Sequence, residues 1–256
     1  MNVGLERTMR IVAPIVAGAL LLALWYVLVD VAKILPPSVP SPNAIITQFT
    51  DNFGIILNAT RITAGNAALG LLIGAIIAIV LAALAALIRP LDGMAAPVVA
   101  AIAVVPIVAL TPIFNTMFGA SAQTGRVLIA AIASFVPVYI NVLRGLRQAR
   151  PVQRDLFLAY AATKPQTFRR LTLPMALPFL ITGIRIASSL AVISALVAEY
   201  FGGPADGLGT AIASYAKSGK SALAWAFVFA SIIVGLVFFL VTLLLERIVR
   251  RYRSEH

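Results

Sequence analysis

The chain has 256 residues, 61% of them hydrophobic and only 11% charged, and its mean hydropathy is +1.00. That balance excludes a water-soluble domain. There is no cysteine and the single histidine is His256, which excludes disulfides, thiolate metal sites and histidine-based catalysis in any core.

A helix crosses ~30 Å of hydrocarbon with about 20 apolar residues. The apolar runs here lack the two-residue alternation of a membrane barrel, so helices are expected. The fold class read from the sequence is all-α integral membrane, a single domain over 1–256 with six transmembrane helices at 11–29, 61–87, 94–118, 124–146, 175–199 and 222–246.

The first run follows Arg7 and Arg10 as a signal peptide would. It leads into Leu35, Pro36 and Pro37 without a small-residue cleavage site, and is read as a retained span. After Pro40 and Pro42, residues 43–57 place Ile45, Ile46, Phe49, Phe53, Ile56 and Leu57 at helical spacing, which predicts a short interfacial helix.

In the second span Gly70 and Gly74, extended by Ala67 and Ala78, form a small-residue face that admits another helix, from the same subunit or from a second copy. Pro97, Pro106 and Pro112 in the third span and Pro137 in the fourth each remove a backbone donor and favour kinks. Polar residues in these two spans, Thr111, Asn115, Thr116, Ser134 and Asn141, are pathway candidates; such residues also cap kinks and bridge helices.

The connection 147–173 is too long for a turn. Thr163-Lys164-Pro165-Gln166 reads as a capping box with proline tolerated in the first turn, so a helix starts there. Before it, Val152, Leu156, Ala159 and Tyr160 share one face, giving two short helices with a break near Thr163. On periodicity alone this is an amphipathic loop resting on lipid.

The fifth span carries Arg185, with Ser188 and Ser189 beside it and Glu199 at its far end. An ionisable residue within a span is a functional candidate. Arg185 and Glu199 share a face but stand about 21 Å apart along the axis and cannot pair within one helix. Arg185 either snorkels to an interface or faces a cavity suited to an anionic or polar solute.

The formal charge of +11 comes from 20 lysines and arginines against nine acids. Most of the basic residues, among them Arg7, Arg10, Arg89, Arg144, Arg147, Arg150, Lys164, Arg169 and Arg170, fall on one side of a six-span arrangement, against Lys33, Arg61, Arg126, Lys217 and Lys220 on the other. This asymmetry predicts cytoplasmic termini and argues for a membrane surface, not nucleic acid, as the partner of the positive charge. No phosphate-binding P-loop pattern is present. An ion-coupled secondary transporter is the alternative function. It needs buried acids, whereas Glu199 and Asp206 are expected near the outside and Asp30 and Asp92 near interfaces.

The long loop resembles the inner-membrane permeases of binding-protein-dependent ABC importers, in the branch that includes nitrate, sulfonate, taurine and pyrimidine-precursor transporters. Their EAA signature runs from a Glu-Ala-Ala tripeptide through a glycine to an aliphatic residue, any residue, Leu and Pro. Here Asp155-Leu156-Phe157 stands at the tripeptide, Ala161 at the glycine, Leu171 at the aliphatic position and Leu173-Pro174 at the end. Asp155, Ala161 and Pro165 depart from the pattern. The turn Leu35-Pro36-Pro37-Ser38-Val39-Pro40-Ser41-Pro42, the third-span stretch Val105-Pro106 to Phe118-Gly119, the fourth-span stretch Phe135 to Leu146, and Ala198-Glu199 followed by Gly207-Leu208-Gly209 are similar as well.

What the resemblance implies is a non-enzymatic, multi-pass subunit of the bacterial inner membrane that pairs with a second copy of itself. It would sit on two ATPase subunits that carry ATP and magnesium, receive solute from a separate extracytoplasmic binding protein, and hold no cofactor of its own. The resemblance makes Asp155, Ala159, Tyr160, Ala161, Ala162, Thr163, Leu173 and Pro174 the ATPase-coupling residues. The glycine position raises one expectation: a contact that needs a positive φ at Ala161 is strained by its side chain.

Overall fold

The computed structural model describes residues 3–33, 39–119 and 121–254, and all regular structure among them is helical. The part of the proline turn at Leu35, Pro36, Pro37 and Ser38 lies outside the described residues. Helix α1 (Val3–Tyr26) runs into a π-turn at Val27–Val31, followed by α2 (Pro42–Asp51) and α3 (Phe53–Leu87). Then come α4 (Arg89–Val104), α5 (Ile107–Phe118) and α6 (Thr124–Leu146). The loop holds α7 (Pro151–Ala159) and α8 (Lys164–Thr167), joined through a π-turn at Phe168–Thr172 to α9 (Leu173–Tyr200); α10 (Leu208–Lys217) and α11 (Ser221–Ser254) complete the order.

Five of these helical stretches are long and apolar enough to cross a membrane, and α4 with α5 supplies a sixth if that bent pair is one span. The third span is therefore not the single helix expected over 94–118. Val105 and Pro106 leave helical geometry and the two halves diverge by 101°. Pro106 cannot donate to a preceding carbonyl, and the residue before a proline is pushed toward extended backbone, as Val105 shows at ψ 125°. The expected interfacial helix over 43–57 also splits. Asn52, whose side chain bonds back to the Gln48 carbonyl at 3.0 Å, ends α2, and Phe53 already opens α3. Helix α10 has no counterpart among the expected elements.

Helices α3, α6 and α9 form the centre, and their contact surfaces are made of small residues. A side chain on Gly70 would meet the Val127 carbonyl oxygen at 2.8 Å, and one on Gly74 would meet that of Ala131 at 2.3 Å. The small-residue face of α3 thus receives α6 of the same subunit. Across α6 and α9, Gly145 fits against Ala176 and Gly183 against Pro137 and Val138. Buried alanines at 67, 78, 130, 187, 191 and 195 continue this close packing, in keeping with helix association in lipid through van der Waals contact between small residues. Helix α1 stands apart, with no buried residue over Val12–Val31. It meets the rest through Trp25, whose ring lies 5.9 Å from that of Trp225 on α11.

Candidate functional site

The loop between α6 and α9 presents the first candidate surface. Pro151 opens α7, and the Arg150 amide donates to the Gln153 side chain at 2.9 Å. The helix ends in a Schellman motif: the Ala162 amide donates to the Phe157 carbonyl at 2.9 Å and the Ala161 amide to that of Leu158 at 2.9 Å. That geometry requires a left-handed residue, and Ala161 takes it at φ 53°. The strain anticipated from the family's glycine is therefore present. The capping box at Thr163 is formed, its amide donating to the Gln166 side chain at 2.8 Å, and α8 restarts the chain toward α9.

Of the expected coupling residues, Asp155, Ala159, Tyr160, Ala161 and Thr163 are exposed and Ala162 is half-buried around this cap, while Leu173 and Pro174 are exposed at the start of α9. Val152, Leu158 and Tyr160 are 77%, 71% and 79% exposed. Large apolar side chains projecting around this cap form a surface that water alone does not favour.

A second group gathers at the opposite end of the bundle. Glu199 is 0% exposed. It accepts from the Thr63 hydroxyl at 2.7 Å and from the Gly209 amide at 3.0 Å, and Thr63 in turn accepts from the Leu208 amide at 2.9 Å. The carboxylate therefore satisfies the first turn of α10 from a different helix, where unpaired amides and the helix dipole favour negative charge. Gly207 and Gly209 allow this approach: a side chain on Gly207 would meet the Glu199 carboxyl at 2.2 Å, and one on Gly209 the Leu196 carbonyl at 2.1 Å.

Beside it, Arg126 is 1% exposed and pairs with Asp206 at 2.7 Å. It also donates to Gln123 at 3.0 Å, to Thr210 at 3.1 Å and to the Pro204 carbonyl, while Gln123 donates to Asp206 at 2.6 Å and accepts from Asn66 at 2.8 Å. This set ties the turn 201–207 to α3 and α6. Arg126, which the charge pattern assigns to the outer side, is buried inside the packed subunit at the end opposite the long loop. Thr63, Asn66, Gln123, Asp206 and Thr210 escape sequence reasoning because their partners lie far away in the chain. Gly202-Gly203-Pro204, three residues after Glu199, and Gly207-Leu208-Gly209 are the local signals of a tight structure there.

Arg185 lies near the middle of α9 and pairs with Glu246 of α11 at 2.9 Å. The Arg185 side chain keeps 30% exposure against 5% for Glu246, which also accepts from Thr182 at 3.3 Å. Ser188 is buried and contacts Thr242 at 3.2 Å; Ser189 is half-buried. Glu246 is a buried acid that the sequence reading did not single out. It is engaged by the arginine, so Arg185 is not an isolated intramembrane cation.

Arg185 and Glu199 fall in these two separate clusters. Asn115 lies between α6 and the turn after α9, close to Gly125 and Gly202. Asn141 donates to the Pro137 carbonyl at 2.8 Å, Ser134 to that of Ala130 at 2.7 Å and Thr116 to that of Ile113 at 2.7 Å, all within their own helices. Thr111 is buried on α5. Among the described residues no group of His, Cys, Asp and Glu could hold a metal ion.

The family model for the inner-membrane component of binding-protein-dependent transport systems matches residues 70–254. The chain belongs to this family. It is therefore an ABC importer permease, a non-enzymatic, multi-pass inner-membrane subunit. The chain is 30% identical over 208 residues to the formylaminopyrimidine transport permease protein ThiX of Halalkalibacterium halodurans, covering 80% of this chain and 81% of that one. It is 26% identical to a putative aliphatic sulfonates transport permease protein, SsuC of Bacillus subtilis, over 93% of this chain and 86% of that one. With the taurine transport system permease protein TauC of Escherichia coli the identity is 27%, over 93% and 87%. Among solved structures, the MetNI methionine ABC transporter in inward-facing conformations has a chain of the same fold, at TM-score 0.65 and 18% identity, covering 77% of this permease and 97% of that chain.

Proposed function

We propose that this permease docks a separate ATPase through residues 159–163 and conducts a small polar or anionic solute, of the nitrate type or of the sulfonate, taurine or formylaminopyrimidine type found in the names of the relatives above. The observation that carries the docking reading is the cap itself. Leu158 and Tyr160 stand out of its Schellman turn at 71% and 79% exposure, large apolar side chains that a partner's cleft would cover. The basic asymmetry supports a cytoplasmic position for this loop and both termini, on the side where ATP is available. A homodimer on two ATPase subunits, fed by an extracytoplasmic binding protein, is the assembly that the family supports.

Ala161→Glu tests the docking. It adds bulk and charge to a surface that is exposed in the isolated subunit, so insertion and abundance stay normal. In a partner's cleft an uncompensated charge costs several kcal/mol. The ATPase then fails to co-purify or solute-stimulated hydrolysis is lost. Normal ATPase retention together with normal uptake removes the docking assignment.

A further inference from the structure

A groove of about 310 Å³ opens between α4 and α6 at the end of the bundle that carries the long loop. Its walls are Ala96, Val99, Ala100 and Ala103 from α4 with Ile140 and Leu143 from α6. Arg144 and Arg147 line its mouth. Both are exposed; Arg147 pairs with Asp92 at 2.7 Å. With one of the two cations matched by an acid, the mouth retains one net positive charge.

Tyr139 also lines the groove. It is 3% exposed, and its hydroxyl is buried with no hydrogen-bond partner among the described residues. A buried phenol left unpaired costs free energy, and such groups ordinarily find an acceptor.

We infer that this groove is a binding site for one anionic phospholipid. One acyl chain lies along the alanine and valine wall, the phosphodiester sits on Arg144 and Arg147, and the Tyr139 hydroxyl donates to an ester carbonyl. Tyr139 precedes Arg144 by about 7.5 Å of helix rise, which sets the phenol deeper than the headgroup. A free solute anion fits poorly, because beyond the two arginines at its mouth the groove offers one phenol and an otherwise apolar wall, which a small hydrated ion would leave unfilled. Basic residues that close an apolar groove between membrane helices at the anionic leaflet match the chemistry of a phospholipid headgroup.

The test is native mass spectrometry of the purified transporter complex, with phosphatidylglycerol, phosphatidylcholine or inorganic phosphate as the probe. The expected result is retention of phosphatidylglycerol over phosphatidylcholine, with no displacement by millimolar phosphate. Arg144→Gln should weaken that retention about fivefold, as ~1 kcal/mol per basic residue near an anionic surface implies. Ala100→Phe, which fills the groove without touching the charges, should abolish it, and serves as the deciding variant if Arg144→Gln accumulates poorly. Tyr139→Phe should weaken retention while leaving the headgroup preference intact. Equal retention of the two lipids, displacement by phosphate, or unchanged binding in Ala100→Phe would each overturn the assignment.

Discussion

Ala161 offers a sharp quantitative check on the loop geometry. Its φ of 53° is left-handed, where an L-residue other than glycine pays about 1–2 kcal/mol. Glycine removes that penalty but loses about 0.5–1 kcal/mol more conformational freedom on ordering. Ala161→Gly should therefore stabilise the closed cap by about 1 kcal/mol, roughly a fivefold shift in its opening equilibrium. The amides that report the cap are those of Ala161 and Ala162, bonded to the Leu158 and Phe157 carbonyls. Hydrogen exchange resolved at these two positions should slow about fivefold in Ala161→Gly, with distant helices unchanged. Ala161→Val, β-branched at the same dihedral, should speed it. Unchanged or faster exchange in the glycine variant would refute the left-handed cap.

The other expectations concern the polar cluster and the orientation. Gly209→Ala puts a methyl 2.1 Å from the Leu196 carbonyl oxygen and should lower thermal stability by about 1–3 kcal/mol, whereas Gly65→Ala, with nothing within 4 Å, should be neutral or stabilising. Equal melting temperatures of the two would contradict the close approach of α10 to α9. Thr63→Val removes the donor to Glu199 and the acceptor for Leu208 together, and should cost about 2–3 kcal/mol; a wild-type melting curve would show that the network is dispensable. In this cysteine-free chain, an impermeant thiol reagent applied from outside should label Ala205→Cys and spare Gln166→Cys, both exposed positions. The reverse pattern would invert the proposed topology.

Local signals account for what was legible in advance. The fourth span, expected at 124–146, is α6 at Thr124–Leu146, because a polar turn and an arginine-rich end bound its apolar run on both sides. The capping box at Thr163 was readable because its partners lie within one turn, and the departures at Asp155 and Ala161 were visible as single-residue substitutions in a known pattern. The broken third span was not readable to the residue. Three prolines competed for the break, and only Pro106 coincides with a change of direction, while Pro97 and Pro112 stay inside helices. The bonds from Thr63 to Glu199 and from Arg126 to Asp206 span 136 and 80 residues, a separation at which periodicity carries no information. Charge counting gave no sign that Arg126 is buried, since it assigns a side by position in the chain and is blind to burial. Helix α10 was missed because ten residues of small and polar side chains give a weak pattern, and its start is set by the Glu199 carboxylate from another helix.

The most direct measurement of the central claim uses a photo-crosslinking amino acid in place of Tyr160, which is 79% exposed on the cap segment. Irradiated in native membranes, it should give a covalent adduct containing an ATP-binding cassette subunit, and the adduct should disappear when Ala161→Glu is added. Adducts with lipid alone, in membranes that contain the assembled transporter, would contradict the docking role of this loop.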